Sequence, residues 1–237
     1  MRLTACDLMS VAGGLIILLT IVAAVSASIR TNADEYTRNG VVSLNILNGG
    51  FTDGRIQYNS ANLPSGPLFE YLKTDVAPFH NVLAMQELNG WTDNDMRRVS
   101  EALGYTDFYL CKNCNRYKVG FMTRDTLETL VDISSAGSGA IAIRTSGVVY
   151  ATLHLSAASG TGRTSQVHSA VDNIVAKYGD EPLLLMGDFN SLSPEDASRY
   201  SGNVTCGGRR DSNYCASKEI DYSYIQAFLD AGMHDLC

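Results

Sequence analysis

Gly187, Asp188, Phe189, Asn190 and Ser191 follow directly on the apolar run PLLLM at residues 182–186. A buried strand that ends in one carboxylate and one carboxamide, with a small Gly before them and a turn after, aims oxygen ligands at a divalent cation and a phosphate. That chemistry is metal-assisted hydrolysis of a phosphoester. Read locally, the same residues also suit a polar turn closing a strand, because Asp, Asn and Ser side chains hydrogen-bond nearby backbone. Three further strand ends bear on the choice. Asn45 follows VVSL, Glu87 follows NVLAMQ, and His154 lies in VVYATLHL just before the small polar loop SAASGTG.

Each of those three has a plain local role as well. Asn45 can satisfy backbone groups in a turn, Glu87 can be a solvated strand end, and a lone His in a strand is commonly a hydrogen-bonded core residue. Together they describe one constellation, because ends of separate strands can converge at one rim of a sheet core. There Glu87 supplies a hard oxygen ligand for Mg²⁺, with Mn²⁺ or Ca²⁺ as alternatives; Mg²⁺ typically binds through one or two carboxylates, waters and substrate phosphate. Asp188 can orient or deprotonate a water, Asn45 and Asn190 can donate hydrogen bonds to phosphate oxygens, and His154 can stabilise transition-state charge.

The segments that must position these residues alternate between strand-like and helix-like, the pattern of an α/β or α+β domain. Residues 41–46, 81–86, 107–111, 117–123, 139–144, 148–155 and 182–186 read as strands: short, β-branched or apolar, and bounded by turn residues. Thr92 with Asp95 marks a helix start, Met96, Val99 and Leu103 recur at helical spacing, and Gly104 ends the run. Val167, Val171, Ile174, Val175 and Tyr178 form one apolar stripe that predicts a long helix over 164–178, ended by Gly179. Ile225, Phe228 and Leu229 predict a last helix over 222–231. Residues 52–66 and 203–217 read as loops.

With 237 residues, 45% of them hydrophobic and 18% charged, the chain suits one globular domain with a sizeable core. Residues 8–25 are apolar or small, Arg2 precedes them, and Val25, Ser26 and Ala27 offer the small-residue pattern of a signal-peptidase site. Residues 1–27 therefore read as a signal peptide. The rival reading is an uncleaved signal anchor, since an uncharged run of this length reaches the lower limit for spanning a bilayer. Residues 28–40 read as a polar linker and 41–237 as an exported domain, secreted or, if residues 8–25 remain, membrane-anchored. Losing Arg2 and Asp7 leaves the formal charge at −7. With no basic patch, strong non-specific attraction to polyphosphates is disfavoured, although a bound divalent cation offsets this locally and leaves a nucleic-acid substrate open.

Cys6 lies in the leader, which leaves Cys111, Cys114, Cys206, Cys215 and Cys237 in an oxidising compartment where disulfides are expected. Cys206 and Cys215 bracket GGRRDSNY and read as a stapled loop, Cys111 and Cys114 can pair locally, and Cys237 is left over. Asn203, Val204 and Thr205 form a glycosylation acceptor.

NILNGG at 45–50, MQEL at 85–88, TLHLSAAS at 152–159 and GDFNSLSPED at 187–196 stand in an order and spacing that resembles the endonuclease/exonuclease/phosphatase superfamily. The resemblance runs from Val41 to Leu236. It implies a four-layer sandwich of two packed β-sheets flanked by helices, a divalent metal, usually Mg²⁺, and a phosphoester substrate. Carried over by motif, Asn45 and Glu87 look like the metal residues, His154 like the phosphate-contacting histidine, and Asp188 with Asn190 like the pair that positions nucleophile and phosphate. Tyr117 is a further position the resemblance points to, although it better suits a packed strand aromatic. Arg124 and Arg163 are within reach of phosphate chemistry but read as solvated.

The family's pattern continues beyond GDFNS with a strand resembling R-I-D-Y-I-F and a Ser-Asp-His motif. This chain ends before them, so the domain is expected to be C-terminally incomplete, with an apolar sheet edge left unpaired. EIDYSYIQAFLDAGMHD has helical spacing, and its His234 and Asp235 stand in reverse order to the missing pair. The expected function is a secreted, divalent-metal-dependent phosphoesterase acting on nucleic acid, phospholipid or inositol phosphate. The alternative is a non-catalytic or truncated exported phosphate-binding module.

Overall fold

The computed structural model describes residues 19–22, 40–114, 116–135, 138–157, 161–200 and 221–236. Strands β1 (Leu19–Val22), β2 (Gly40–Asn45), β3 (Gln57–Tyr58) and β4 (Pro64–Ser65) precede helix α1 (Pro67–Tyr71), which runs on as a wide π-type turn over Leu72–Val76. Then come β5 (His80–Gln86), α2 (Asp93–Leu103), β6 (Asp107–Leu110), β7 (Gly120–Thr123), β8 (Glu128–Ser135), β9 (Ser138–Thr145) and β10 (Val148–His154). The remaining elements are α3 (Thr161–Ala170), a π-type stretch over Val171–Val175, α4 (Ala176–Tyr178), β11 (Leu183–Asp188), a 3₁₀ segment over Pro194–Tyr200, and α5 (Ser223–Asp230).

One sheet has the order β1-β2-β5-β7-β6 and the other β11-β10-β9-β8, with β3-β4 as a separate hairpin. Side chains alternate across each strand, and here both faces are covered. Val42, Leu44, Leu83 and Met85 pack with Met96 and Val99 of α2 in one outer core. Their neighbours Val41, Val82 and Ala84 face Ile141, Ile143 and Met186 in a central core between the sheets. Ala142, Val149 and Ala151 pack with Val167, Ile174 and Phe228 in the other outer core. Helices, sheet, sheet and helices make the four-layer α/β sandwich that the resemblance implies.

Helix α2 begins and ends where its sequence signals stand. Thr92 Oγ1 accepts from Asp95 N, Asp95 accepts from Thr92 N, and Gly104 caps the carboxyl end with φ 78°. The stripe expected as one helix over 164–178 starts at Thr161 and widens to π winding at 171–175, where the consecutive residues Ile174 and Val175 are both buried. The strand expected over 117–123 is regular only from Gly120, although the carbonyls of Lys118 and Val119 still accept from Leu88 N and Cys111 N on its two sides. Within the expected loop 52–66 lies the β3–β4 hairpin, whose turn is held by Asn59 Oδ1 accepting from Ala61 N and Leu63 N. β8 escapes a period-two reading because its register shifts between Thr129 and Val131.

Strand β1 falls inside the segment read as a leader and pairs antiparallel with β2, Leu19 opposite Leu44. The rest of residues 8–25 lies outside the described residues, and among those described no helix is long and apolar enough to cross a membrane. Cys111 and Cys114 are joined as a disulfide, buried against β9 beside Gly139. Asn203, Cys206, Cys215 and Cys237 lie outside the described residues.

Candidate active site

The strands that carry the candidate residues run as two parallel pairs, β2 with β5 and β10 with β11. Parallel strands deliver their carboxyl ends to one rim, the place where open α/β sheets hold ligands. Asn45 ends β2, Glu87 follows β5, His154 ends β10 and Asp188 ends β11. The two rims meet: Asn45 Nδ2 donates to Glu87 Oε1 at 3.0 Å and, across the sheets, to Asp188 Oδ2 at 2.9 Å.

Backbone geometry at these ends is specialised. Gly187 sits opposite Leu153 in the β10–β11 register with φ 139°, and a Cβ there would stand 2.0 Å from the Leu153 carbonyl oxygen. Only glycine lets β11 approach β10 so closely beside Asp188. Glu87 and Asn190 adopt the left-handed region, φ 59° and 46°, a conformation that costs a non-glycine residue roughly 1–2 kcal/mol. Each is held there by hydrogen bonds. Glu87 Oε2 accepts from Asn48 N at 2.9 Å and Glu87 O from Asn89 N at 2.7 Å. Asn190 N donates to Asp188 Oδ1 at 2.9 Å and Asn190 Nδ2 to Leu155 O at 2.8 Å.

His154 occupies the inner wall, only 6% exposed, with Nε2 3.7 Å from both Glu87 Oε1 and Asp188 Oδ2 and 3.3 Å from Asn190 Nδ2. Burial pushes its pKa below the ordinary imidazole value, and the nearby charges of Asp188 and Glu87 offset this only in part. A ring held in this way is neutral at neutral pH. Its Nδ1 is buried and makes no hydrogen bond among the described residues. The edge of Tyr117 meets the imidazole with ring centroids 5.3 Å apart, and the Arg116 guanidinium lies 5.2 Å over the Tyr117 ring.

Among the described residues, Glu87, His154 and Asp188 can each direct one ligand atom so that all three lie within 4.8 Å of one another. Two hard carboxylates and one imidazole suit a divalent cation, and two like charges bound to the same Asn45 amide are an arrangement that such a cation stabilises.

All five residues expected from the sequence therefore come together, with Tyr117 beside them. Asn45, expected at the metal, directs its amide nitrogen to both carboxylates, while its Oδ1 accepts from Leu47 N at 2.9 Å. The two arginines expected in solvent are not there. Arg163 is 2% exposed, donates to the carbonyls of Ser156 and Ala157 and lies 4.8 Å over the Tyr224 ring. Arg124 donates to the carbonyls of Gly104 and Ala77. His234 and Asp235 follow α5 and are not part of the ligand group. The N–H of Asn48 and the side chains of Ser43, Gln86 and Thr152 emerge only in three dimensions, although Ser43 and Thr152 each stand two residues before a site residue, on the same strand face.

The model of the Endonuclease/Exonuclease/phosphatase family matches residues 42–214, and the chain belongs to this family. No curated protein matches the chain in sequence. Among solved structures it is similar to the 3′ phosphatase NExo from Neisseria bound to product DNA hairpin, with 15% identity over 70% of this chain and 65% of that one and a TM-score of 0.48. It is also similar to the human Nocturnin catalytic domain with bound sulfate anion, with 17% identity, 54% and 56% coverage and a TM-score of 0.40. An AP endonuclease from Archaeoglobus fulgidus shows 14% identity, 54% and 53% coverage and a TM-score of 0.41. The chain thus spans less than two thirds of the length of each of these structures.

Proposed function

We propose that the protein is a divalent-metal-dependent phosphoester hydrolase, with Mg²⁺ as the favoured cation. The observation that carries this reading is the meeting of Glu87, Asp188 and His154 around the Asn45 amide at the rim of both sheets. Glu87 would hold the cation, with Asn45 keeping its carboxylate and that of Asp188 turned to one point. When bound, the cation supplies Lewis acidity for a phosphoryl oxygen and neutralises developing charge. Asp188, partly exposed and fixed by Asn190 N, is placed to orient a water and accept its proton. His154, neutral and buried, offers Nε2 to a phosphate oxygen, and the Asn190 amide beside it offers a second donor.

The substrate is a phosphodiester or phosphomonoester, carried by nucleic acid, phospholipid or inositol phosphate. Export is part of this proposal and is supported by the apolar leader at residues 8–25 and the small residues at 25–27; amino-terminal sequencing of the secreted protein checks it. The central test is hydrolysis of bis(p-nitrophenyl) phosphate and of DNA with Mg²⁺, by the parent chain and by Glu87→Gln and Asp188→Ala. Metal-dependent turnover that both substitutions abolish supports the reading. Turnover that is absent, or indifferent to both, rejects it; Mg²⁺ binding without turnover identifies a binding module.

A further inference from the structure

One residue back from the rim, the central core stops being apolar. Gln86, Ser43 and Thr152 are all buried, and Gln86 Nε2 donates to Ser43 Oγ at 3.0 Å and to Thr152 Oγ1 at 2.8 Å. Ser43 belongs to β2, Gln86 to β5 and Thr152 to β10, so one amide ties two strands of the first sheet to a strand of the second. Much of the rest of the face between the sheets is apolar, with Val41, Val82, Ala84, Ile141 and Ile143, and a further polar tie, Tyr109 Oη donating to Asp132 Oδ2 at 2.8 Å, joins β6 to β8. Apolar side chains of similar volume would fill that level without burying polar atoms.

We infer that Gln86, with Ser43 and Thr152, is a positioning group that sets the separation of the two halves of the site. The geometry points to this because every member abuts a site residue along its own strand. Ser43 lies two before Asn45, Thr152 two before His154, and Gln86 immediately before Glu87. Side chains two apart share a strand face, so the Ser43 and Thr152 hydroxyls lie directly below Asn45 and His154. Among the described residues the sheets meet through side chains, most of them apolar, and apolar packing allows small slides that directed hydrogen bonds do not. A slide of one sheet on the other would separate Glu87 and Asn45, carried by the first, from His154 and Asp188, carried by the second. The Gln86–Thr152 bond opposes that slide at the level next to the chemistry. The inference rests on the proposed hydrolase reading for its effect on turnover, but not for its effect on strand-end geometry.

The test is Gln86→Met, a swap of similar volume, with Thr152→Val as a second variant that removes only the bond between the sheets. Thermal unfolding, Mg²⁺ titration, kcat and KM on bis(p-nitrophenyl) phosphate, and amide exchange at Ile46 and Leu155 are measured together. Those two amides report the strand ends, since Ile46 N donates to Gln86 O and Leu155 N to Asp188 O. The expected result is a Tm close to the parent, about a 10-fold rise in half-saturating Mg²⁺ or fall in kcat at unchanged KM, and faster exchange at both amides. Val99→Ala, in the outer core below α2, serves as the control that lowers Tm while leaving Mg²⁺ titration and KM as in the parent. Folded variants with parental Mg²⁺ titration and parental exchange at Ile46 and Leu155 overturn the clamp, whatever the activity. A parent chain without metal-dependent turnover overturns the hydrolase reading, and Mg²⁺ titration with exchange then decides the clamp.

Discussion

His154 and Asp188 stand opposite each other in the register of two adjacent parallel strands, with Nε2 3.7 Å from Oδ2. Their separation is therefore set by the β10–β11 ladder, not by a loop. Replacing Asp188 by Asn keeps the shape and removes the charge. Turnover of Asp188→Asn is expected to fall about 100-fold or more, since a proton acceptor is lost. Its Tm without added metal is expected to equal or exceed that of the parent, because one of two neighbouring carboxylates is gone. Steady-state kinetics and scanning calorimetry on the same preparation check both halves.

Gly187→Ala tests the ladder itself. The added methyl would stand against the Leu153 carbonyl at a φ of 139°, so either β11 moves away from β10 or the backbone turns. A loss of about 3 kcal/mol is expected in urea unfolding, with Mg²⁺ affinity falling alongside. A variant as stable as the parent would show that the strands are less closely apposed than described.

Arg116 is an exposed cation that makes no ion pair among the described residues and lies over the ring of Tyr117, which in turn touches His154. In a chain of net charge −7 it is well placed to meet a second phosphate of an extended substrate. Arg116→Gln is expected to raise KM for an oligonucleotide several-fold and to flatten its salt dependence, while KM for bis(p-nitrophenyl) phosphate stays put. Equal effects on both substrates would place Arg116 outside substrate recognition.

The Asp95 carboxyl titrates below its ordinary value of 3.8: burial by itself would raise it, but hydrogen bonds from Thr92 and Tyr58 and the charge of Arg98 outweigh that. A folded value below the unfolded one gives stability that is complete above pH 3.8 and disappears as pH falls through the folded value. Asp95→Ala is expected to cost about 1 kcal/mol at pH 7 through the lost cap. The gap between parent and variant should narrow toward pH 3, as measured by urea unfolding at both pH values.

Much of the site is legible in one dimension because a polar residue after an apolar run is a local signal, and four such ends belong to parallel strands that share a rim. Asn45, Glu87, His154 and Asp188 could be named from their runs, and α2 from Thr92, Asp95 and Gly104. What stays hidden is long-range. Arg163 has the composition of a solvated residue, yet its partners are the backbone of the β10–α3 loop and a tyrosine of α5. Gln86 reads as the second residue of MQEL, and its role depends on hydroxyls contributed by two other strands. β8 was hidden for another reason, since a register shift breaks the alternation that would betray a strand.

The β3–β4 hairpin is inserted between β2 and α1, tied to the rim by bonds around Asn48, Gly49 and Arg55 and to α2 by the Tyr58 hydroxyl donating to Asp95. Insertions, deletions or grafts there can reshape what docks above the rim while the ladder holding the reactive side chains stays intact. Hairpin exchange is thus a natural route for laboratory evolution, with the cluster of Asn45, Glu87, His154 and Asp188 carried through unchanged.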